Sequence, residues 1–376
     1  MNSRERYIEA LTFGKPDKIP FFPGGPREST LKRWHSEGLP EDRAWFDVMC
    51  EEIGVEQEAP SGVPHSGPDL NFLMNPMFEE KVLEHKNGHY ICQDWKGNIC
   101  EISDEFDVSY LRSAKDFVTR RWIKCPVETH EDWEDMKTRY RLDDPTRCPD
   151  DFDDRVKIMK QRDYAIALAV HGPFWQLREW CGFEGLCMLT IDDPEFVAEM
   201  AAFWTDFVSK VMAPALDAGV VDHLFICEDM AYKEKCMISP AMCREHLMPA
   251  WSRWATECIQ AGAKIIEVDS DGNVAELLAL WVEAGVNVNS PMEVAAGNDI
   301  NEYRKTFGHD IAFSNGVDKR CIAKGGKVIE DELRRIEPVV RDGGFIPGCD
   351  HGVPHDISWP NFLHYSKLLA EMTGWL

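Results

Sequence analysis

Past residue 160 the chain settles into a regular alternation of apolar runs and helical stretches. Residues 164–170 form a continuous apolar run, and 224–227, 264–268, 286–288, 311–313 and 344–346 are shorter ones. Helical patterns at 194–211, 239–260, 274–284, 299–307 and 319–341 separate them, and Ser239-Pro240 opens the second with a capping serine and a proline in the first turn. Strands alternating with helices of this length predict parallel strands joined by crossover helices. A last helix over 358–373 would close a ring. Periodicity by itself leaves a doubly wound sheet and a closed barrel both open. No GxxxxGK or GxGxxG follows a strand, which disfavours a nucleotide or dinucleotide site.

The first 150 residues read differently. Residues 3–12 predict a short helix with Ser3 as its cap, ended by Pro16, and Ile19-Pro20-Phe21-Phe22 predicts a first strand. Gly24-Gly25-Pro26-Arg27 turns the chain into an amphipathic stretch carrying Leu31 and Trp34. Two alternating segments, 81–85 and 89–93, flank Asn87-Gly88, the strongest short hairpin signal. A second turn at Trp95-Lys96-Gly97-Asn98 leads into Ile99-Cys100-Glu101-Ile102. The expected organisation is one domain over 1–376, with an antiparallel, hairpin-containing insertion at about 68–150 folded over one end.

Charge narrows the partners. The chain has 376 residues and a formal net charge of −25, from 66 acidic against 41 basic residues. That field repels nucleic acid and anionic membranes, and it opposes a polyanionic substrate unless basic residues line the pocket. The start of the chain lacks an apolar signal region, and no apolar run reaches membrane length. Thirteen cysteines, an odd number spread through apolar and helical runs, argue for reduced thiols in a cytoplasmic protein rather than a disulfide framework.

Chemistry is expected where the strands end. One run ends in Ile226-Cys227-Glu228-Asp229, the next in Glu267-Val268-Asp269-Ser270-Asp271-Gly272, and another in Pro291-Met292-Glu293. The last ends in Pro347-Gly348-Cys349-Asp350-His351, and the run near 170 in His171-Gly172-Pro173-Phe174-Trp175. Asp269 and Asp271, two apart on a strand, face one side, and two close carboxylates repel unless a cation or a shared proton relieves them. Cys349 and His351 add softer donors, and the mixture suits a catalytic zinc held by Asp269, Asp271, Cys349 and His351. Glu228 and Glu293 are the candidate catalytic acids or bases. His171, Trp175, Asp229, Tyr232 and Arg27 are the candidate substrate-binding residues.

Ser3-Arg4-Glu5-Arg6 with Pro16-Asp17-Lys18-Ile19-Pro20, then Glu37-Gly38-Leu39-Pro40, Ser239-Pro240-Ala241-Met242, Asp269-Ser270-Asp271-Gly272-Asn273 and Gly343-Gly344-Phe345-Ile346-Pro347 together resemble the uroporphyrinogen decarboxylase superfamily. The resemblance spans essentially the whole chain and implies an α/β fold, a (β/α)8 TIM barrel. True decarboxylases in that superfamily carry an arginine-rich segment after the first strand; here Arg27 alone stands in Phe22-Pro23-Gly24-Gly25-Pro26-Arg27. The other branch, corrinoid-dependent methyltransferases, holds zinc with His-x-Cys and a late Cys. Asp269-Ser270-Asp271 occupies the first position and Cys349 the second. Methyl-ether demethylases of anaerobic bacteria are similar to this variant. The resemblance therefore implies a zinc-dependent methyltransferase moving a methyl group from a small donor, an aromatic methyl ether, to the cobalamin of a corrinoid protein partner, with a homodimer as an admissible state. The alternatives are a decarboxylase and a non-catalytic corrinoid- or tetrapyrrole-binding subunit.

Overall fold

Seven parallel strands and one separate antiparallel sheet carry the architecture. The computed structural model describes residues 1–56, 64–113 and 119–376. In chain order the strands are β1 (His65–Ser66), β2 (Lys81–Lys86), β3 (His89–Gln93), β4 (Ile99–Ser103), β5 (Arg120–Lys124), β6 (Ile166–His171), β7 (His223–Cys227), β8 (Ile265–Asp269), β9 (Val288–Ser290), β10 (Ala312–Ser314) and β11 (Phe345–Ile346). The parallel sheet runs β1-β6-β7-β8-β9-β10-β11, so from β6 onward each strand pairs with the next in sequence. That is the wrap of a TIM-barrel-like fold, with helices such as Pro194–Asp217 and Met248–Gln260 between consecutive strands.

The closed eight-stranded ring expected from the sequence is not complete. Residues 19–22 form no strand, because Pro20 and Pro23 lack the N–H groups a ladder needs. The segment instead runs beside the chain that follows β11: the Cys349 N–H donates to the Pro23 carbonyl at 2.9 Å, and Pro26 bridges Val353 in parallel. Among the described residues no ladder joins this segment to β1.

Other expectations shift by small amounts for identifiable reasons. The first helix, Ser3–Leu11, is capped by Asn2 rather than Ser3; Asn2 and Glu5 exchange side-chain and backbone bonds in a full capping box. The expected 239–260 helix contains a wide π turn at Cys243–Leu247, just before Pro249, whose ring a regular turn cannot accommodate. The 319–341 stretch breaks into Lys319–Lys324 and Lys327–Asp342 at Gly325-Gly326, where φ is +75° and +55°.

The antiparallel sheet, ordered β2-β3-β4-β5, is the predicted insertion. Asn87 and Gly88 both have positive φ, 53° and 76°, as a two-residue hairpin of matching twist demands. One face of this sheet buries Cys92, Cys100 and Ile102 against Leu111. The Lys96 ammonium, in the turn between β3 and β4, pairs with Glu179 on the helix Pro173–Cys181 and so ties the sheet to the rim of the larger one. The chain returns through the helix His130–Lys137, whose Trp133 packs on Trp180 with ring centroids 4.8 Å apart.

At the opposite end of the parallel sheet, Asp222 anchors three elements. It accepts from Arg4 and Arg162 and from the Ile166 N–H. Both Asp222 and Arg162 are buried, so removing the carboxylate leaves a guanidinium without compensation. Asp222→Ala is expected to lower the unfolding free energy by about 3–5 kcal/mol, read as a fall in the urea midpoint.

Candidate active site

The C-terminal ends of the parallel strands all open on one side, and the acid-rich sequences noted above converge there. Glu228, one residue past β7, is fully buried. Its Oε1 accepts from Trp251 Nε1 at 2.5 Å and its Oε2 from the Trp175 N–H at 3.1 Å. Burial pushes its pKa up to about 8, against the pull of those donors. The carboxyl group fills the notch left by Gly172, where any Cβ would lie 2.1 Å from its carbon. Glu228 therefore packs beneath the rim and holds Trp175 in place.

Asp229 has φ +42°, a conformation that turns its side chain toward the opening. Arg178 donates to its carbonyl at 2.9 Å and to Oδ2 at 3.3 Å, and lies 4.7 Å over the Trp175 ring. Burial, together with the neighbouring Asp271, raises the Asp229 pKa. Asp269 accepts the Cys227 thiol at 3.5 Å, and burial plus the Asp271 charge lift its pKa to about 7. Asp271 pairs with His351, Nε2 to Oδ2 at 3.0 Å, while Arg27 donates to His351 Nδ1 at 3.1 Å. That network leaves the imidazole proton on Nε2. The Asp271 bond raises the His351 pKa against the opposing effect of burial.

Glu293 is engaged on both oxygens, by Lys319 Nζ at 2.9 Å and the Gly272 N–H at 3.1 Å. Gly272, with φ +81°, sits where a Cβ would meet the Ala231 carbonyl oxygen at 2.4 Å, so the loop after β8 presses directly on the loop after β7. His171 turns away from the large opening: its Nδ1 meets Gln176 Oε1 at 3.3 Å, and burial lowers its pKa. Tyr232 is exposed at the edge, its ring against Phe183.

The expected zinc ligands do not assemble. Asp271 and His351 meet, but Asp269 is bonded to Cys227, and Cys349 is 1% exposed among apolar neighbours, its Cβ close to where one on Gly24 would stand. Burial pushes the Cys349 thiol up to about 12. Among the described residues no three His, Cys, Asp or Glu side chains converge on a shared ion position. The side chains as arranged do not fit a four-ligand zinc.

Above the rim lies a cavity of about 850 Å³. Its floor is Arg27, Asp229 and His351, its walls include Trp175 and Arg178, and its roof is the insertion, through Trp95, Lys96, Arg120 and Trp122. Of the substrate-binding candidates, Arg27, Trp175, Asp229 and Tyr232 line it. His351, expected on the metal, lines it instead. Arg178 and Cys227 escaped the sequence reading. A signal for the first was present: Arg178 lies three residues after Trp175 on a helix, the spacing that stacks one on the other.

No family model matches the chain, and no curated protein sequence matches it. Among solved structures, a methyltransferase from Methanosarcina mazei is similar at a TM-score of 0.57 and 14% identity, covering 100% of this chain and 98% of that one. A B12-independent methionine synthase from a Shewanella species, solved in complex with selenomethionine, matches at a TM-score of 0.35 and 13% identity over 59% of this chain and 65% of its own. The first likeness establishes a shared fold along the full chain, in agreement with the superfamily resemblance of the sequence.

Glu228 is neutral when folded over a range in which the unfolded chain, with an ordinary value of 4.5, is ionised. Its contribution to stability is complete below 4.5 and is lost progressively as pH rises toward about 8. Melting curves across this window should fall for the native chain. The Glu228→Gln curve should lack that component.

Proposed function

We propose that this chain is a methyltransferase: a small aromatic methyl ether binds in the cavity over the strand ends, and its methyl group passes to the cobalamin of a corrinoid protein docked at the opening. The observation that carries the reading is the cavity itself, aromatic-walled and closed beneath by a set of electrostatically coupled acids and an imidazole. The shared fold of the Methanosarcina mazei methyltransferase supports the class of reaction.

Breaking the methyl–oxygen bond leaves the electron pair on oxygen, and the product phenol needs a proton there. The Asp271 charge raises the pKa of both Asp229 and Asp269, and its hydrogen bond raises that of His351. With Asp269 lifted to about 7, a proton is retained beneath the cavity near neutrality, and Asp229, whose pKa is also raised, is the carboxyl that lines the cavity. Trp175, held from behind by Glu228 and stacked on by Arg178, gives the ring a fixed wall. Cobalamin supplies the acceptor chemistry when the partner is bound. Because the expected ligands do not fit zinc, no step is assigned to a metal on this chain.

A second reading, decarboxylation of an aromatic acid, is favoured by the cationic side chains of the cavity lining, Arg27, Lys96, Arg112, Arg120 and Arg178. It requires carbon dioxide release without a corrinoid acceptor.

Methylation of free or protein-bound cobalamin, held in the cobalt(I) state by an added reductant, with methoxybenzene derivatives as donors tests the proposal. The rate is expected to fall as pH rises through about 7, as the coupled set loses its proton. Asp271→Asn removes the partner that raises His351 and Asp269, so the fall should move to lower pH. A rate independent of both pH and this substitution, or carbon dioxide release in place of cobalamin methylation, overturns it.

A further inference from the structure

The cavity roof belongs to the antiparallel sheet, which the reaction above leaves without a role. In β5, Trp122 pairs with Cys100 and Arg120 with Ile102, so both project from the face on which those buried residues lie. That face looks into the cavity. Trp95 and Lys96 reach it from the turn between β3 and β4, and Arg112 from the helix Tyr110–Ser113.

The lining reverses the sign of the molecule. Arg27, Lys96, Arg112, Arg120 and Arg178 face two carboxylates, Glu179 and Asp229, on a chain whose net charge is −25. Lys96, Arg178 and Arg112 have carboxylate partners in Glu179, Asp229 and Glu80. Arg120 has none among the described residues; its guanidinium lies 5.1 Å over the Trp122 ring. Trp122 is 47% exposed, an uncovered indole beside an uncompensated cation. Crowding cations into a confined space is unfavourable, and an incoming anion relieves it. Flat indoles beside a guanidinium fork match a planar ring that carries a carboxylate.

We propose that the antiparallel sheet is an anion-recognising roof, in which Arg120 binds the carboxylate of an aromatic substrate while Trp122 and Trp95 cover its ring, so that the site prefers a carboxylate-bearing aromatic ether to a neutral one. The proposal rests on the cavity being the substrate site. The overall charge opposes entry of such a ligand, and the five cations offset that opposition locally.

Calorimetric titration of the full chain with 4-methoxybenzoate, methoxybenzene, 4-methoxybenzylammonium and inorganic phosphate tests it without any turnover. The benzoate should bind about tenfold or more tightly than the neutral ether, the worth of one charge-assisted hydrogen bond, and the ammonium most weakly. Arg120→Gln should abolish that preference, Arg120→Lys should retain part of it, and Trp122→Ala should weaken both ethers. Arg121→Gln, on the opposite face and paired with Glu101 at 3.5 Å, controls for the fold of the sheet and should change nothing. Equal binding of benzoate and neutral ether, an intact preference in Arg120→Gln, or phosphate binding as tightly as the benzoate overturns the proposal. If the preference holds and no methyl reaches cobalamin, the methyltransferase reading fails while the roof stands.

Discussion

Of seven strands that point the same way, β7, β8, β9 and β11 deliver acidic ends to the same place, and the resulting electrostatic crowding is the constraint around which the rim is organised. Carboxyl groups within a few ångströms of one another cannot all ionise without relief. Each is relieved differently. Glu228 is taken out of water under Trp251 and Trp175, Asp229 is gripped by Arg178, and Asp271 by His351. Glu293 and the fully buried Asp350 share Lys319. Asp269 takes a thiol donor and keeps a proton near neutrality. A metal ion shared by several carboxylates is another solution to the same problem; here Lys319 bridges one pair and separate donors serve the rest. Once His351 serves Asp271 and Cys349 is sealed in apolar packing, too few side chains remain for a common ion.

Much of this was legible in the chain, for local reasons. Apolar runs ending in acids, or in histidine for β6, located β6, β7, β8 and their rim because a buried parallel strand has only one polar exit. Asn87-Gly88 located the hairpin because few other dipeptides tolerate two successive positive φ values. What failed depended on distant partners. Phe21 and Phe22 look like strand residues, yet the prolines around them leave no ladder to join. Cys349 matched a motif by position, but it is buried with its Cβ close against Gly24, a packing that no spacing encodes. No local pattern singled out Arg120 and Trp122; their importance follows from which face of the insertion closes over the opening.

The insertion also changes how net charge should be read. A total of −25 describes the field felt from afar, whereas the cavity is governed by the few groups that line it. Building three of the lining cations, Lys96, Arg112 and Arg120, on the insertion lets the lining differ in sign from the body, because the small sheet has its own hydrophobic anchor in Cys92, Cys100, Ile102 and Leu111. The chemistry of recognition and the packing of the parallel sheet thus draw on different residues.

Asp229 ties backbone shape to electrostatics more tightly than any other position. Its left-handed conformation costs a side-chain-bearing residue about 1 kcal/mol or more, and the two bonds from Arg178 hold it there. The same guanidinium stacks on Trp175. Loop curvature, wall position and local charge therefore behave as a single latch: a lineage altering ligand size by moving Trp175 would release the β7 loop at the same stroke. Divergence in this corner must proceed by concerted replacement.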